Sequence, residues 1–126
     1  MPKRRVLVVE DTDMNLELIG DLLEVGGYQV LKATTAAEGL ALARSEAPDL
    51  ILMDISLPDM DGLEATRRLK QEESTRHIPV AALTAHATAE DEARSIAAGC
   101  AAHLTKPIDT RTLPQVVARL IEAQHP

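Results

Sequence analysis

The sequence predicts an α/β fold: a doubly wound, five-stranded parallel sheet assembled from five successive βα units, (βα)5. Three observations carry that expectation. Short β-type runs alternate along the whole chain with longer stretches of helical periodicity. Two of the short runs, residues 6–9 (VLVV) and 50–53 (LILM), are apolar at every position, as a strand covered on both faces requires. The 126 residues contain no repeat, linker or low-complexity tract, and fit one domain able to bury roughly two thirds of its unfolded surface.

The first strand is expected at 5–9 and runs directly into Glu10-Asp11. A helix over 13–25 should stop at Gly26-Gly27, because glycine adopts helix-ending backbone angles at no steric cost. The second strand, 28–33, precedes a helix over 36–46 that Thr35 is placed to cap. The third strand, 50–53, ends at Asp54, and after the turn Pro58-Asp59-Met60-Asp61-Gly62 a helix covers 62–71. The fourth strand, 80–83, ends at Thr84, and the next helix, 88–98, stops at Gly99. A short fifth strand, 102–104, leads to Lys106. In the last helix, 110–123, Leu113, Val116, Val117, Leu120 and Ile121 form one apolar stripe at i, i+3, i+4, i+7 and i+8. Parallel neighbours need crossovers, and right-handed crossovers put helices on both faces of the sheet, with the first and third strands central.

Composition narrows the function. With 45% apolar and 26% charged residues the chain should fold, and with Tyr28 as its one aromatic residue the core must be Leu, Ile, Val, Ala and Met. A net charge of −7 opposes binding to nucleic acid or to an anionic membrane, so the expected partners are proteins. The basic start is followed by only four apolar residues before Glu10, too few for a signal peptide or a membrane span, and a cytoplasmic location is expected. Cys100 stands alone, so no internal disulfide can form, and it reads as a small buried apolar residue. His77 and His125 read as exposed, and no pair of histidines has metal-ligand spacing.

In such a sheet, ligands bind outside the carboxyl ends of the strands. Four of the five ends carry chemistry: Glu10-Asp11, Asp54, Thr84 and Lys106. The intervals between them each fit whole βα units, so the side chains should converge. Three crowded carboxylates repel unless a cation neutralises them. Mg2+ suits them, being held by one or two carboxylates together with phosphate and water. On this reading Asp11 and Asp54 bind the ion directly and Glu10 assists through water. Asp54 is the nucleophile that attacks a phosphoryl donor, Lys106 pairs with one phosphoryl oxygen and the Thr84 hydroxyl bonds another. Taken singly, each residue has an ordinary explanation: Asp11 as a helix cap, Glu10 as a solvated turn residue, Lys106 as a surface lysine. Their joint spacing argues for a site.

These residues resemble the receiver domains of bacterial two-component response regulators. The motifs are the acidic pair in VVEDTD, Asp54 in LILMDISLPDMDG, Thr84 in ALTA and Lys106-Pro107 in LTKP, and the resemblance runs from Val6 to about Glu122. It implies a flavodoxin-like strand order 2-1-3-4-5 and a single receiver domain over 1–126 with no output domain. It further implies phosphorylation of Asp54 by a histidine kinase or phosphotransfer protein. The Ser56 backbone carbonyl would complete the metal site, the Lys106–Pro107 bond would be cis, and output would pass to an unidentified downstream protein. The family usually has Tyr or Phe three residues before the lysine; here His103 stands there. His103 is therefore expected to act as a smaller, polar version of the family's aromatic switch, and His86, two residues after Thr84, to adjust phosphate lifetime.

Two other classes remain open on sequence. Asp11-Thr12-Asp13, Thr84 and Lys106 resemble a haloacid-dehalogenase-type phosphatase, although that reading leaves Asp54 idle and needs a late acidic pair for which Asp109 is a poor substitute. A phosphorylation-independent binding scaffold would lack the acceptor or the lysine, and both are present. Neither a GxGxxG nor a P-loop sequence occurs, which argues against nucleotide binding.

Overall fold

The computed structural model describes residues 3–86 and 88–124; His125 lies outside them. The elements alternate without exception: β1 Arg5–Val9, α1 Asp13–Val25, β2 Gln29–Ala33, α2 Ala36–Glu46, β3 Leu50–Asp54, α3 Gly62–Gln71, β4 Val80–Thr84, α4 Ala89–Ala98, β5 Ala102–Thr105 and α5 Thr112–Gln124. The five strands form one parallel sheet in the order β2-β1-β3-β4-β5. This is the strand order that the resemblance implied.

Successive residues of each strand face opposite sides of the sheet, so the apolar runs build two cores. Leu7, Val9, Ile51, Met53, Val80 and Ala82 meet α2, α3 and the end of α4 on one face. Val6, Val8, Leu50, Leu52, Ala81 and Leu83 meet α1 and α5 on the other. All five residues of β3 and of β4 are buried, the consequence of helices on both sides. Cys100 is among the buried residues, and His77 is exposed.

Boundaries differ from the sequence reading where a local hydrogen bond decides them. Helix α4 begins at Ala89 because Thr88 serves as its cap, its hydroxyl accepting the Asp91 amide. Helix α5 begins at Thr112, two residues later than expected, because the Asp109 carboxylate accepts the Arg111 and Thr112 amides and holds the preceding turn open. Strand β2 starts at Gln29, the Tyr28 amide being committed to the Leu23 carbonyl at the end of α1.

Helix α2 starts with its free amides shared between two sources. Thr35 Oγ1 accepts from the Glu38 amide, and the Asp59 carboxylate, more than twenty residues along the chain, accepts from Ala36 at 2.8 Å and Ala37 at 2.9 Å. Those two amides hold the Asp59 carboxyl below its usual range. The turn over residues 58–62 is thus fastened to a neighbouring helix. Its last residue, Gly62, packs so closely that a Cβ there would lie 2.1 Å from the Asp54 carbonyl oxygen.

Candidate functional site

Parallel register places the ends of β1, β3, β4 and β5 along one edge of the sheet. Val9 pairs with Met53, Asp54 with Leu83, and Thr84 with Thr105, so the residues just beyond these strands become neighbours. Further backbone bonds continue this edge past the strands, from the Ile55 amide to the Leu83 carbonyl and from the Lys106 amide to the Thr84 carbonyl at 2.7 Å.

Glu10, Asp11, Asp54 and Lys106 come together there. One carboxylate oxygen from each of Glu10, Asp11 and Asp54 lies within 4.8 Å of the others. Glu10 is fully buried and Asp54 is 2% exposed, whereas Asp11 faces solvent. The Lys106 ammonium bridges the two buried acids, at 2.8 Å from Glu10 Oε1 and 3.0 Å from Asp54 Oδ2. The Glu10 contact is an ion pair outside hydrogen-bond geometry, which leaves Glu10 Oε1 without a hydrogen-bond donor among the described residues. Its other oxygen accepts the Thr12 amide at 3.0 Å. Asp54 Oδ1 accepts the Ser56 amide at 3.0 Å.

Thr84 is buried at the end of β4, its hydroxyl accepting the His86 amide at 3.1 Å. The Lys106–Pro107 peptide bond is cis. Thr12 caps α1 without a side-chain bond, so the alternative in which Asp11 served as the cap does not hold.

Two buried carboxylates and one lysine leave an uneven charge balance. Burial raises the Asp54 carboxyl to about 6 against the lowering pull of the Ser56 amide and Lys106, with the Glu10 charge adding to the rise. For Glu10, burial pushes the same way, but Lys106 and the Thr12 amide outweigh it and hold the group below its usual range. Burial works against the Lys106 charge too, yet the two carboxylates keep its ammonium above its usual value. Glu10 therefore carries the negative charge most firmly, and Asp54 is the member whose charge is the more costly to bury. A hard divalent cation fits this donor set: three clustered carboxylates offering oxygen ligands, one of them solvent-facing, against a single shared lysine.

His103 lies half-buried on β5. Its Nε2 is 3.3 Å from the His86 carbonyl oxygen and its Nδ1 is 3.1 Å from the Ser95 hydroxyl of α4. A carbonyl only accepts, so Nε2 carries the proton that faces the His86 oxygen, while Nδ1 shares a hydrogen bond with the Ser95 hydroxyl, which also reaches the Asp91 carbonyl at 3.2 Å. The ring also borders a cavity of about 250 Å³ between β5 and the start of α5. Sequence reasoning singled out His103 and His86 but missed Ser95, which reads as an ordinary helical serine until the fold sets it against the ring.

The dehalogenase alternative loses its parts in this geometry. Asp109, the late acid it needs, is exposed and engaged in capping α5, and Asp54, which it leaves idle, sits at the centre of the cluster.

Comparisons with known proteins agree on one family. The sequence pattern of the response regulator receiver domain matches residues 6–118. The polar-differentiation response regulator DivK of Brucella ovis is 49% identical over 105 residues, covering 83% of this chain and 85% of that protein. The DivK of Brucella anthropi is likewise 49% identical, over 108 residues, covering 86% of this chain and 87% of the relative. Among solved structures, a CheY-like receiver domain from Methanospirillum hungatei superposes with a TM-score of 0.90 at 32% identity, covering 98% of this chain and 97% of the other. The receiver domain of a sensor histidine kinase from Pseudomonas aeruginosa superposes with a TM-score of 0.88 at 33% identity, covering 96% and 99% of the two chains, and holds a magnesium ion in its active site cleft. An acidic cluster facing one lysine at the carboxyl edge of a 2-1-3-4-5 sheet, and this range of relatives, lead to one assignment: the chain belongs to the response regulator receiver domain family, the phosphorylation switches of two-component signalling.

Proposed function

We propose that the chain is switched by phosphorylation of Asp54, with Mg2+ as cofactor, and signals by changing which proteins it binds. The observation that carries this reading is the Lys106 ammonium lying between two buried carboxylates, one of them able to act as the acceptor. Asp11, Asp54 and the Ser56 backbone carbonyl would hold the metal, with Glu10 assisting through water. The bound ion supplies charge neutralisation among the carboxylates and on the incoming phosphoryl group.

The remaining chemistry belongs to the chain. An ionised Asp54 oxygen attacks phosphorus in line, and the bond from phosphorus to the donor's imidazole nitrogen breaks. That nitrogen keeps the electron pair, and the ring leaves as neutral imidazole because its other nitrogen already carries a proton in the phosphoimidazolium donor. Lys106 then exchanges its Asp54 contact for a phosphoryl oxygen, and the Thr84 hydroxyl turns from the His86 amide to bond another. Moving from 1:99 to 99:1 between two states takes about 5.5 kcal/mol. One to three new charge-assisted bonds at roughly 1.5 to 3 kcal/mol each reach or approach that figure.

Retraction of Thr84 pulls on the segment whose His86 carbonyl meets His103, so the imidazole is the link from the site to α4 and β5. Adding fluoroberyllate, a phosphoryl mimic, is expected to shift the ring resonances of His103, and His86→Ala to change the lifetime of the aspartyl phosphate. Unmoved ring resonances and an unchanged lifetime would remove both histidines from the mechanism.

The DivK relatives support a role in polar differentiation, with a histidine kinase or phosphotransfer protein upstream and a protein partner downstream. No helix among the described residues is long and apolar enough to cross a membrane, which accords with a cytoplasmic site of action. Intact-mass measurement after incubation with acetyl phosphate tests the reading. One phosphoryl adduct should form with Mg2+, and none should form with EDTA or on Asp54→Asn. An adduct on the variant would place the acceptor elsewhere.

A further inference from the structure

Strand pairing fixes most of the metal site, but not all of it. Asp54 closes β3, and Glu10-Asp11 follows β1 directly, so their positions come with the sheet. Ser56 is different. It lies off the sheet in the 55–61 loop, its amide on Asp54 Oδ1 and its backbone bridged to Asp61, and the direction of its carbonyl follows the conformation that the loop holds.

Beyond residue 56 the loop is fastened at its end by Asp61, whose carboxylate caps α3 through the Leu63 amide, and to a distant element by the Asp59 carboxylate on the Ala36 and Ala37 amides. The helix it grips is itself seated hard against β1. A Cβ on Gly39 would come within 2.7 Å of Val9 Cγ2, so α2 approaches at glycine distance the residue that immediately precedes Glu10. Helix α2 thus touches the acidic pair's strand at one point and the Ser56 loop at another. It can act as a spacer that sets one side of the metal site against the other. Local capping already covers part of this helix end, through Thr35 on the Glu38 amide and Glu38 Oε1 on the Thr34 amide, so starting the helix does not rest on Asp59 alone.

We infer that Asp59 is a positioning residue for the metal site: by gripping the start of α2 it holds the 55–61 loop so that the Ser56 carbonyl faces the acidic pair. This inference rests on the metal reading given above. Asp59 makes no contact with the metal in this scheme and acts only through Ser56. Loss of such an outer partner typically weakens a metal site by about 10-fold or more.

Calorimetric titration with MgCl2, using the whole chain with and without substitutions at residue 59, tests it. Native protein should bind Mg2+ saturably, Asp59→Ala roughly 10-fold more weakly, and Asp59→Asn should recover most of the loss, because its amide oxygen still accepts from the helix. Amide hydrogen exchange should quicken at Ala36, Ala37 and Ser56 in Asp59→Ala while the strands stay protected. Equal weakening in Ala and Asn variants would mean that only the lost charge matters, and would overturn the inference. Native affinity in Asp59→Ala would overturn it while leaving the metal reading intact. An absence of saturable binding by the native chain would instead overturn the metal reading, and the inference with it.

Discussion

Gly62→Ala is expected to destabilise the domain by about 3 kcal/mol or more, the upper range for forcing an added carbon into a packed site. The added Cβ would lie 2.1 Å from the Asp54 carbonyl oxygen and 2.8 Å from both the carbonyl carbon of Asp54 and the Cα of Ile55. All three are backbone atoms, which cannot swing aside as a side-chain tip can. Relief requires moving the chain between Asp54 and Gly62, where the Gly62 amide donates to the Ile55 carbonyl at 2.9 Å. The substitution should therefore lower the urea midpoint and slow phosphorylation of Asp54 together. A midpoint within experimental error of the native one would show that the loop yields freely, contrary to this packing.

Asp54→Asn should have the opposite sign. In EDTA at pH 8 the variant is expected to be more stable than the native protein by about 1 to 3 kcal/mol, since it removes a buried charge that one shared lysine does not fully offset. The folded-state value of about 6 exceeds the ordinary carboxylate value of 3.8. A raised acid stabilises the fold fully below its unfolded value and loses that contribution as pH rises through its folded value. The advantage of the Asp54→Asn variant should accordingly grow between pH 4 and about pH 6 and then level off. Glu10 runs the other way, its lowered carboxyl favouring the fold as pH rises, so the native protein's own profile across this window is flatter than either group alone would give. Saturating Mg2+ should stabilise the native chain and not the variant. Urea titrations at several pH values, with and without Mg2+, measure all of this, and a variant less stable than the native chain at pH 8 in EDTA would contradict the charge balance described for the site.

Much of this was legible in the sequence, for identifiable reasons. The VLVV and LILM runs marked strands covered on both sides, and Gly26-Gly27 and Gly99 marked helix ends, because both signals arise from residues adjacent in the chain. Convergence of Glu10, Asp11, Asp54 and Lys106 followed from a topological rule rather than from any local cue. What the sequence hid was pairing between distant segments. Asp59 looks the same whether it solvates a turn or grips a helix 22 residues upstream, and its neighbours give no sign of which. Ser95 became a partner of His103 only when α4 was laid against β5. Asp109, in sequence a poor substitute for a late acidic pair, serves as a cap that delays α5 by two residues.

The central claim is that a divalent ion sits among Asp11, Asp54 and Ser56, facing Lys106. Mn2+ shares the oxygen-ligand preference of Mg2+ and broadens nearby nuclear resonances, so a titration of labelled protein with trace Mn2+ maps the ion's position. The amides of residues 11–12, 54–56 and 106 should vanish first, those at the far edge near 26–28 and 72–78 should stay sharp, and excess Mg2+ should restore the lost signals. Broadening centred instead on the acids Glu90, Asp91 and Glu92 at the start of α4, or spread evenly over the surface, would contradict it.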